Sequence, residues 1–285
     1  DYFKIQQGTI WDGTTLYDLY RKAYTPWEWQ PKLKKYAEEL GLICFSSPFD
    51  KSAVDFLEEM NVPAYKIASF EIVDIPLIEY AASKGKPVII STGIATEEEI
   101  QEAINACLRF NNDQIALLKC TSEYPAPFED MNLKTIPVLA NKFKAVVGLS
   151  DHTLGTSVSI AAVALGARII EKHFILDRKS GGPDSSFSLE PSEFKKMVDE
   201  IRQVEAALGK AKIEFNDKIK KSRTFARSLF VVKDISAGEL FTEENVRSIR
   251  PSNGLAPKYS KDILGRKASK DIERGTPLSW DLIEQ

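Results

Sequence analysis

From residue 41 onward, short apolar runs alternate with longer segments whose apolar positions recur every three to four residues. The short runs, rich in Ile, Val and Leu, predict strands at 41–47, 64–70, 86–92, 114–120, 145–150 and 167–174. Between them the helical period predicts helices near 51–60, 75–84, 97–110, 131–142 and 156–165, with a further one upstream near 14–24. Thr96, followed three residues on by Glu99, is a capping box ahead of Ile100. Strands that are apolar on both faces and joined by helices predict a parallel sheet, and right-handed crossovers put every strand's carboxyl end on one side. Six strands are counted where a closed β/α barrel has eight. The fold expected is a (β/α)8 TIM barrel whose first two βα units precede Asp1, with an open sheet as the alternative.

After His173 the pattern lapses into a long loop, Phe174 to Glu190, and long loops of this kind are functional or disordered. Pro191 then opens an amphipathic helix to about Leu208, since proline at a first helical position forfeits no hydrogen bond. Lysines crowd residues 210–223, which read as a linker with a solvated face. From Ser228 short β-like pieces carry turn signals at Ser236-Ala237-Gly238, Ser252-Asn253-Gly254, Gly265 and Arg274-Gly275. The expected organisation is a barrel domain over 1–212, a linker over 213–223 and a small, mostly β domain over 224–285.

The strand ends hold the chemistry. They carry Ser46 and Ser47, Ser69, Ser91 and Thr92, Thr121 and Ser122, Ser150 with His152, and His173. Polar groups at successive carboxyl ends of a parallel barrel converge on one mouth, where active sites of that fold lie. Ser46, Thr92 and Thr96 are assigned to capping the helices that follow. Lys66, between apolar neighbours, is costly to bury unless it meets an anion. With the remaining hydroxyls and helix amino termini it makes a phosphate cradle. Strict alternation puts Lys66 on the opposite face from Ser69 and Glu71, so a bulge is expected there.

His152 and His173 are the chain's two histidines and fall on neighbouring βα units. Adjacent strands lie about 4.8 Å apart, within reach of one shared divalent ion. The alternative is two unrelated polar residues at the mouth. Alternation is expected to turn Asp151 and Glu171 away from their histidines. Glu71 and Asp184 are candidates for holding a polyhydroxylated substrate, or else are solvated loop acids.

Composition narrows the picture. A formal charge of −3 with both signs interspersed excludes a broad nucleic-acid footprint. No apolar run is long enough to span a bilayer, and no signal peptide opens the chain, so a soluble cytoplasmic protein is expected. Cys44, Cys107 and Cys120, odd in number and without zinc spacing, argue against a disulfide framework and for a reducing compartment.

Several motifs together resemble the sialic acid synthase family. They are Lys66-Ile67-Ala68-Ser69-Phe70-Glu71, Cys120-Thr121-Ser122-Glu123-Tyr124-Pro125, Gly148-Leu149-Ser150-Asp151-His152-Thr153 and Glu171-Lys172-His173-Phe174, followed by Gly182-Pro183-Asp184. The tail, with Gly238-Glu239-Leu240, Arg250-Pro251-Ser252-Asn253-Gly254 and Gly265, resembles that family's antifreeze-like (SAF) domain. Tyr24-Thr25-Pro26-Trp27-Glu28-Trp29 and Pro183-Asp184-Ser185-Ser186-Phe187-Ser188 look most like the family's pseudaminic acid branch. The resemblance implies a transferase that condenses phosphoenolpyruvate with the open aldehyde of an N-acetylated amino sugar. It implies a manganese or magnesium ion on His152 and His173. It implies phosphoenolpyruvate held by Ser47, Lys66, Ser69, Ser91, Ser122 and Ser150, and the sugar near Glu71, Tyr124 and Asp184. It also implies a homodimer in which the small domain inserts Arg250 into the partner's barrel. The family's first two strands carry a glutamate for the sugar and a lysine for the phosphate, neither with a counterpart in this sequence. The sugar itself stays open between the pseudaminate precursor and those of N-acetylneuraminate or legionaminate. A related synthase using a phosphorylated sugar would call for a second basic cluster beyond Lys66 and Arg250. A non-catalytic sugar- and phosphate-binding barrel is the alternative of another class.

Overall fold

The computed structural model describes residues 2–6 and 8–284, so Asp1 and Gln285, the outermost residues of the two expected domains, lie outside the description. The chain forms two compact units, Asp1–Gly209 and Lys210–Gln285.

The first unit begins with helices α1 (Leu16–Ala23), α2 (Gln30–Glu39) and α3 (Lys51–Glu59). It continues as β1 (Tyr65–Ile67), α4 (Ile75–Ala82), β2 (Val88–Ser91), α5 (Glu97–Leu108), β3 (Ile115–Cys120) and α6 (Thr135–Phe143). It closes with β4 (Val146–Asp151), α7 (Ser157–Ala164), β5 (Ile169–Lys172) and α8 (Pro191–Leu208). The five strands are parallel and lie in chain order, and the sheet curls into a half-barrel. Several of these helices start at side-chain caps. Asp50, Asp74 and Thr96 accept amide hydrogens at the starts of α3, α4 and α5, each cap contributing about 1 kcal/mol. The capping box of Thr96 and Glu99 is complete.

Parallel register decides which residues share the concave face. Lys66 stands beside Ile89, Ser91 beside Leu118, Leu118 beside Gly148, and Cys120 beside Ser150 beside Glu171. The alternate set, including Ile67, Ile90, Leu117 and Leu149, is fully buried against the helices and forms the main core with Val54, Ile78 and Ile136. Gly148 is required on the concave side. A Cβ there would stand 2.6 Å from Leu118 Cδ2 and 2.4 Å from the Ile169 carbonyl.

The stretch 41–47 is not a strand. It makes one parallel bridge, Ser46 to Tyr65, and Leu42, Ile43 and Phe45 stay exposed. β propensity without a pairing partner on the far side does not hold a ladder. The count is therefore five strands and a bridge rather than six.

The second unit pairs β6 (Ser228–Val231) antiparallel with β7 (Val246–Ile249) around a core of Leu229, Val231, Phe241, Ile263 and Leu278. Gly238, Gly265 and Gly275 take positive φ at its turns, as their turn signals require. Within the lysine-rich stretch expected as a linker, Asp217–Arg223 is helical (α9), capped by Asn216. A short α10 (Ser260–Ile263) follows β7. Among the described residues no helix is long and apolar enough to cross a membrane. Cys44, Cys107 and Cys120 are free thiols.

Candidate active site

The carboxyl ends of β1 to β5 deliver a continuous polar rim. Lys66, 7% exposed, donates from Nζ to Ser91 Oγ at 2.8 Å and to the Ile67 carbonyl at 3.0 Å. Burial pulls its ammonium pKa below the ordinary lysine value, and the Glu171 carboxylate, 3.6 Å away, opposes that shift. Two of its three hydrogens go to neutral oxygens and its carboxylate partner stands at 3.6 Å, so the buried charge is only loosely matched and suits an anion.

No bulge brings Ser69 and Glu71 round to Lys66. Instead β1 stops at Ile67, and Ser69–Glu71 form a turn of 3-10 helix, which breaks the alternation. Ser122 then donates to Ser69 Oγ at 2.8 Å, and the Ile94 amide donates to the same oxygen at 3.2 Å. Gly93 makes this cluster possible. A Cβ there would lie 2.3 Å from Ser122 Oγ and 2.6 Å from Ser69 Oγ. Burial raises the Glu71 carboxyl above the usual glutamate range, and Lys66 works against it. Ser47 is half-buried one residue past the Ser46 bridge. Among the described residues it makes no side-chain hydrogen bond to the hydroxyl cluster. Thr96 caps its helix as expected, whereas Thr92, among the described residues, caps none and instead donates to the Leu118 carbonyl of β3.

The histidines meet. Their ring centroids are 5.3 Å apart at 68°. His152 Nδ1 donates to the Thr121 carbonyl at 2.8 Å, which fixes the tautomer and leaves Nε2 as the lone-pair nitrogen. Burial holds the His152 pKa below the ordinary histidine value, so the ring is neutral near pH 7. Ser150 Oγ approaches Nε2 at 3.5 Å, but its hydrogen is committed to Glu171 Oε1 at 2.6 Å. The Nε2 lone pair is therefore unused. His173 Nδ1 lies 3.5 Å from Asp184 Oδ2.

The expectation that Glu171 turns away from the histidines fails. Residues two apart on a strand share a face, so Glu171 accompanies His173 into the mouth; Asp151, one residue from His152, does face outward. The long loop after His173 is ordered. Leu189 pairs with Phe174 in a parallel bridge, and Arg178 clasps Glu193 with two bonds of 2.6 and 2.7 Å. That arrangement holds Asp184 beside His173.

An aromatic wall closes the site. The Tyr124 ring stands 4.2 Å from that of His152, 5.4 Å from Trp11 and 5.5 Å from Phe187, and Phe187 also packs on His173 at 4.9 Å. Burial raises the Tyr124 phenol, which stays protonated as a donor. Trp11 Nε1 bonds the Pro183 carbonyl at 3.0 Å, joining the first loop to the Asp184 loop. Glu171, expected to face away, and Gly93, Trp11 and Phe187, to which no role was assigned, all belong to the site. The two-residue spacing of Glu171 and His173, and Gly93 directly after Ser91-Thr92, were signals for the first two. Nothing local to Trp11 marked it. Arg250 is exposed just beyond β7 in the second unit.

Comparison with known proteins identifies the family. A profile of the NeuB family matches residues 1–213, and one of the SAF domain matches residues 226–284. The chain is 52% identical to pseudaminic acid synthase of Helicobacter pylori over 282 residues, covering 99% of this chain and 83% of that protein. It is 51% identical to pseudaminic acid synthase of Campylobacter jejuni subsp. jejuni serotype O:2 over 274 residues, covering 96% and 80%. The crystal structure of the spore coat polysaccharide biosynthesis protein spsE from Bacillus subtilis superposes with a TM-score of 0.63 at 35% identity, covering 99% of this chain and 83% of that one. Match length and identity agree: the chain belongs to the NeuB family, with a SAF domain at its carboxyl end.

Proposed function

We propose that the chain is a pseudaminic acid synthase: a metal-dependent transferase that condenses phosphoenolpyruvate with a 2,4-diacetamido-2,4,6-trideoxy hexose in its aldehyde form, giving a nonulosonic acid and phosphate. The observation that carries this reading is the meeting of Lys66, Ser91, Ser69 and Ser122 with the His152–His173 pair on one rim. The high identity to two synthases of that name favours pseudaminate over its sister products.

The phosphate is assigned to Lys66 and to the hydroxyls of Ser47, Ser69, Ser91, Ser122 and Ser150. Lys66 is buried with its carboxylate partner no closer than 3.6 Å, and charge-assisted bonds from a lysine to phosphate are the strong ones. The histidine pair fits a divalent ion. His152 presents an unused Nε2 whose tautomer the Thr121 carbonyl fixes, the usual arrangement behind a ligating imidazole. Among the described residues no cluster of three or more metal-ligating side chains occurs, so the rest of the shell falls to water and substrate oxygens. A manganese or magnesium ion bound there would supply a Lewis acid toward the sugar's aldehyde oxygen. The chain's own residues do the rest by position. Tyr124 and Trp11 wall the sugar, and Glu71 and Asp184 accept its hydroxyl and amide hydrogens. Lys66 neutralises the phosphate as it departs, while Glu171, between Lys66 and Ser150, orients both groups. The protein acts as a cytoplasmic homodimer in which the SAF unit brings Arg250 to the partner's mouth.

The test is release of inorganic phosphate with a panel of N-acetylated hexoses and a divalent ion. Release is expected with the diacetamido-trideoxy sugar and to be lost on chelation. Binding of phosphoenolpyruvate without phosphate release under every condition would replace this reading with a non-catalytic barrel.

A further inference from the structure

Immediately behind the two histidines, on the convex side of the sheet, lies a second polar cluster, separate from the rim. Asp151 and Lys172 are register partners on β4 and β5. Their side chains are 0% and 1% exposed and pair at 2.9 Å. The Asp151 carboxylate is saturated. Oδ1 accepts from the Thr153 amide at 2.9 Å and from Thr153 Oγ1 at 2.7 Å, and Oδ2 accepts from Ser159 Oγ at 2.6 Å. Lys172 Nζ also donates to the Thr153 carbonyl. Ser159 belongs to the first turn of α7 and is itself fully buried.

A buried ion pair is poor evidence for stability. Apolar residues of similar volume in its place are often neutral or better, so such a pair is retained where it specifies an arrangement. Here the arrangement is plain. Asp151 is the chain neighbour of His152, and Lys172 is the chain neighbour of His173. A bond between the outward pair fixes the relative height of the two strands, and with it the relative height of the two inward imidazoles. The bonds to Thr153 and Ser159 pin the same carboxylate to the loop and helix that follow β4, on either side of the His152 backbone.

We infer that Asp151 and Lys172 are positioning residues: a buried cross-strand clamp that sets the spacing and orientation of His152 and His173 for a divalent ion. This deepens the reading of the histidine pair given above and rests on it for the identity of the ligand. The spacing itself can be followed without ligand.

The variant that tests it is the double substitution Asp151→Asn with Lys172→Met in the full chain. Asparagine keeps an acceptor for Thr153 and a donor for Ser159, and no buried charge remains. The fold is expected to persist with a melting temperature within a few degrees of the parent. Because the chain holds two histidines, ring 15N spectra give two assignable sets of signals. The parent is expected to show His152 as a single Nδ1–H tautomer. The double variant should show mixed or broadened tautomers, and its Mn2+ affinity, by calorimetry, should fall roughly tenfold to a hundredfold, the usual cost of losing support behind a metal ligand. Unchanged histidine spectra together with unchanged Mn2+ affinity would overturn the clamp. Should the double variant not fold, Ser159→Ala decides. It removes one bond to the carboxylate, and Mn2+ binding weakened about threefold supports the clamp, whereas undiminished binding overturns it. A parent that binds no Mn2+ at all removes the metal from the proposed function and leaves the histidine spectra to judge the clamp.

Discussion

The two faces of β4 and β5 are both polar at their carboxyl ends, yet they are built on opposite terms. On the convex face Asp151 and Lys172 are completely buried, and both carboxylate oxygens have partners. On the concave face Lys66 is nearly as buried, but its hydrogens go to a hydroxyl, a carbonyl and a carboxylate no closer than 3.6 Å, and among the described residues the only hydrogen-bond neighbour of His152 Nε2 is Ser150 Oγ at 3.5 Å. Burial alone does not tell structure from function. Charge matching does: a buried charge met closely by its opposite is scaffold, and a buried charge or lone pair left loosely matched awaits a ligand.

The sharpest way to break this contrast is at the histidines. Replacing His152 or His173 by alanine removes half the protein's contribution to the proposed ion. Phosphate release is expected to fall roughly a thousandfold or more, since Lewis-acid stabilisation is worth several kcal/mol. The melting temperature should fall more for His152, whose buried ring bonds the Thr121 carbonyl and packs on Tyr124, than for the half-buried His173. Unchanged turnover without added divalent ion would remove the pair from catalysis.

Next comes a matched pair of lysines. Lys66→Met deletes the anion's anchor, and kcat/KM for phosphoenolpyruvate should drop about a hundredfold, the worth of a charge-assisted bond. Its stability should hold or rise, because a desolvated ammonium is lost. Lys172→Met leaves Asp151 buried and unpaired and should cost about 3–5 kcal/mol of stability. Equal stability losses from the two substitutions, measured by denaturant titration, would erase the distinction between the faces.

Gly93→Ala comes next in size. Its Cβ would intrude to 2.3 Å from Ser122 Oγ, forcing apart two hydroxyls of the phosphate cluster. A displacement of this order is expected to lower kcat/KM roughly tenfold to a hundredfold and to cost about 1–3 kcal/mol in overpacking. Kinetics equal to the parent's in the Gly93→Ala variant would show that the hydroxyl spacing is not critical.

Much of this rim was legible because it is local. Ser91, Ser122, Ser150 and the two histidines end apolar runs, and β/α periodicity alone sends such residues to one mouth. The helix Pro191–Leu208 was readable to its ends from the proline and the apolar stripe. What escaped depends on partners or on backbone detail. The run 41–47 has strand composition, but among the described residues it pairs only through the Ser46–Tyr65 bridge. Lys66 and Ser69 converge through a 3-10 turn, a departure that alternation has no means to express. Gly93 shows its purpose only when two serines from distant strands close on it. Trp11 reaches Tyr124 across more than a hundred residues of chain. Asp151 and Lys172 read as ordinary members of motifs until the register paired them.

Glu71 offers the smallest effect and the finest test of the concave face. Burial raises its carboxyl pKa above the ordinary glutamate value of 4.5, and Lys66 only partly offsets that. A carboxyl whose folded pKa lies above its unfolded one holds a proton in the folded state that the unfolded chain has released. The folded state therefore loses stability as pH rises from about 4.5 through the folded pKa, and the loss is complete above it. Glu71→Gln carries no such penalty. The variant should match the parent near pH 4 and be slightly more stable near pH 7, with the gap opening in the interval between. Thermal melts at both pH values check this. A gap that closes on raising the pH would mean that the Lys66 charge, rather than burial, governs Glu71, and that this part of the concave face is already paired like the convex one.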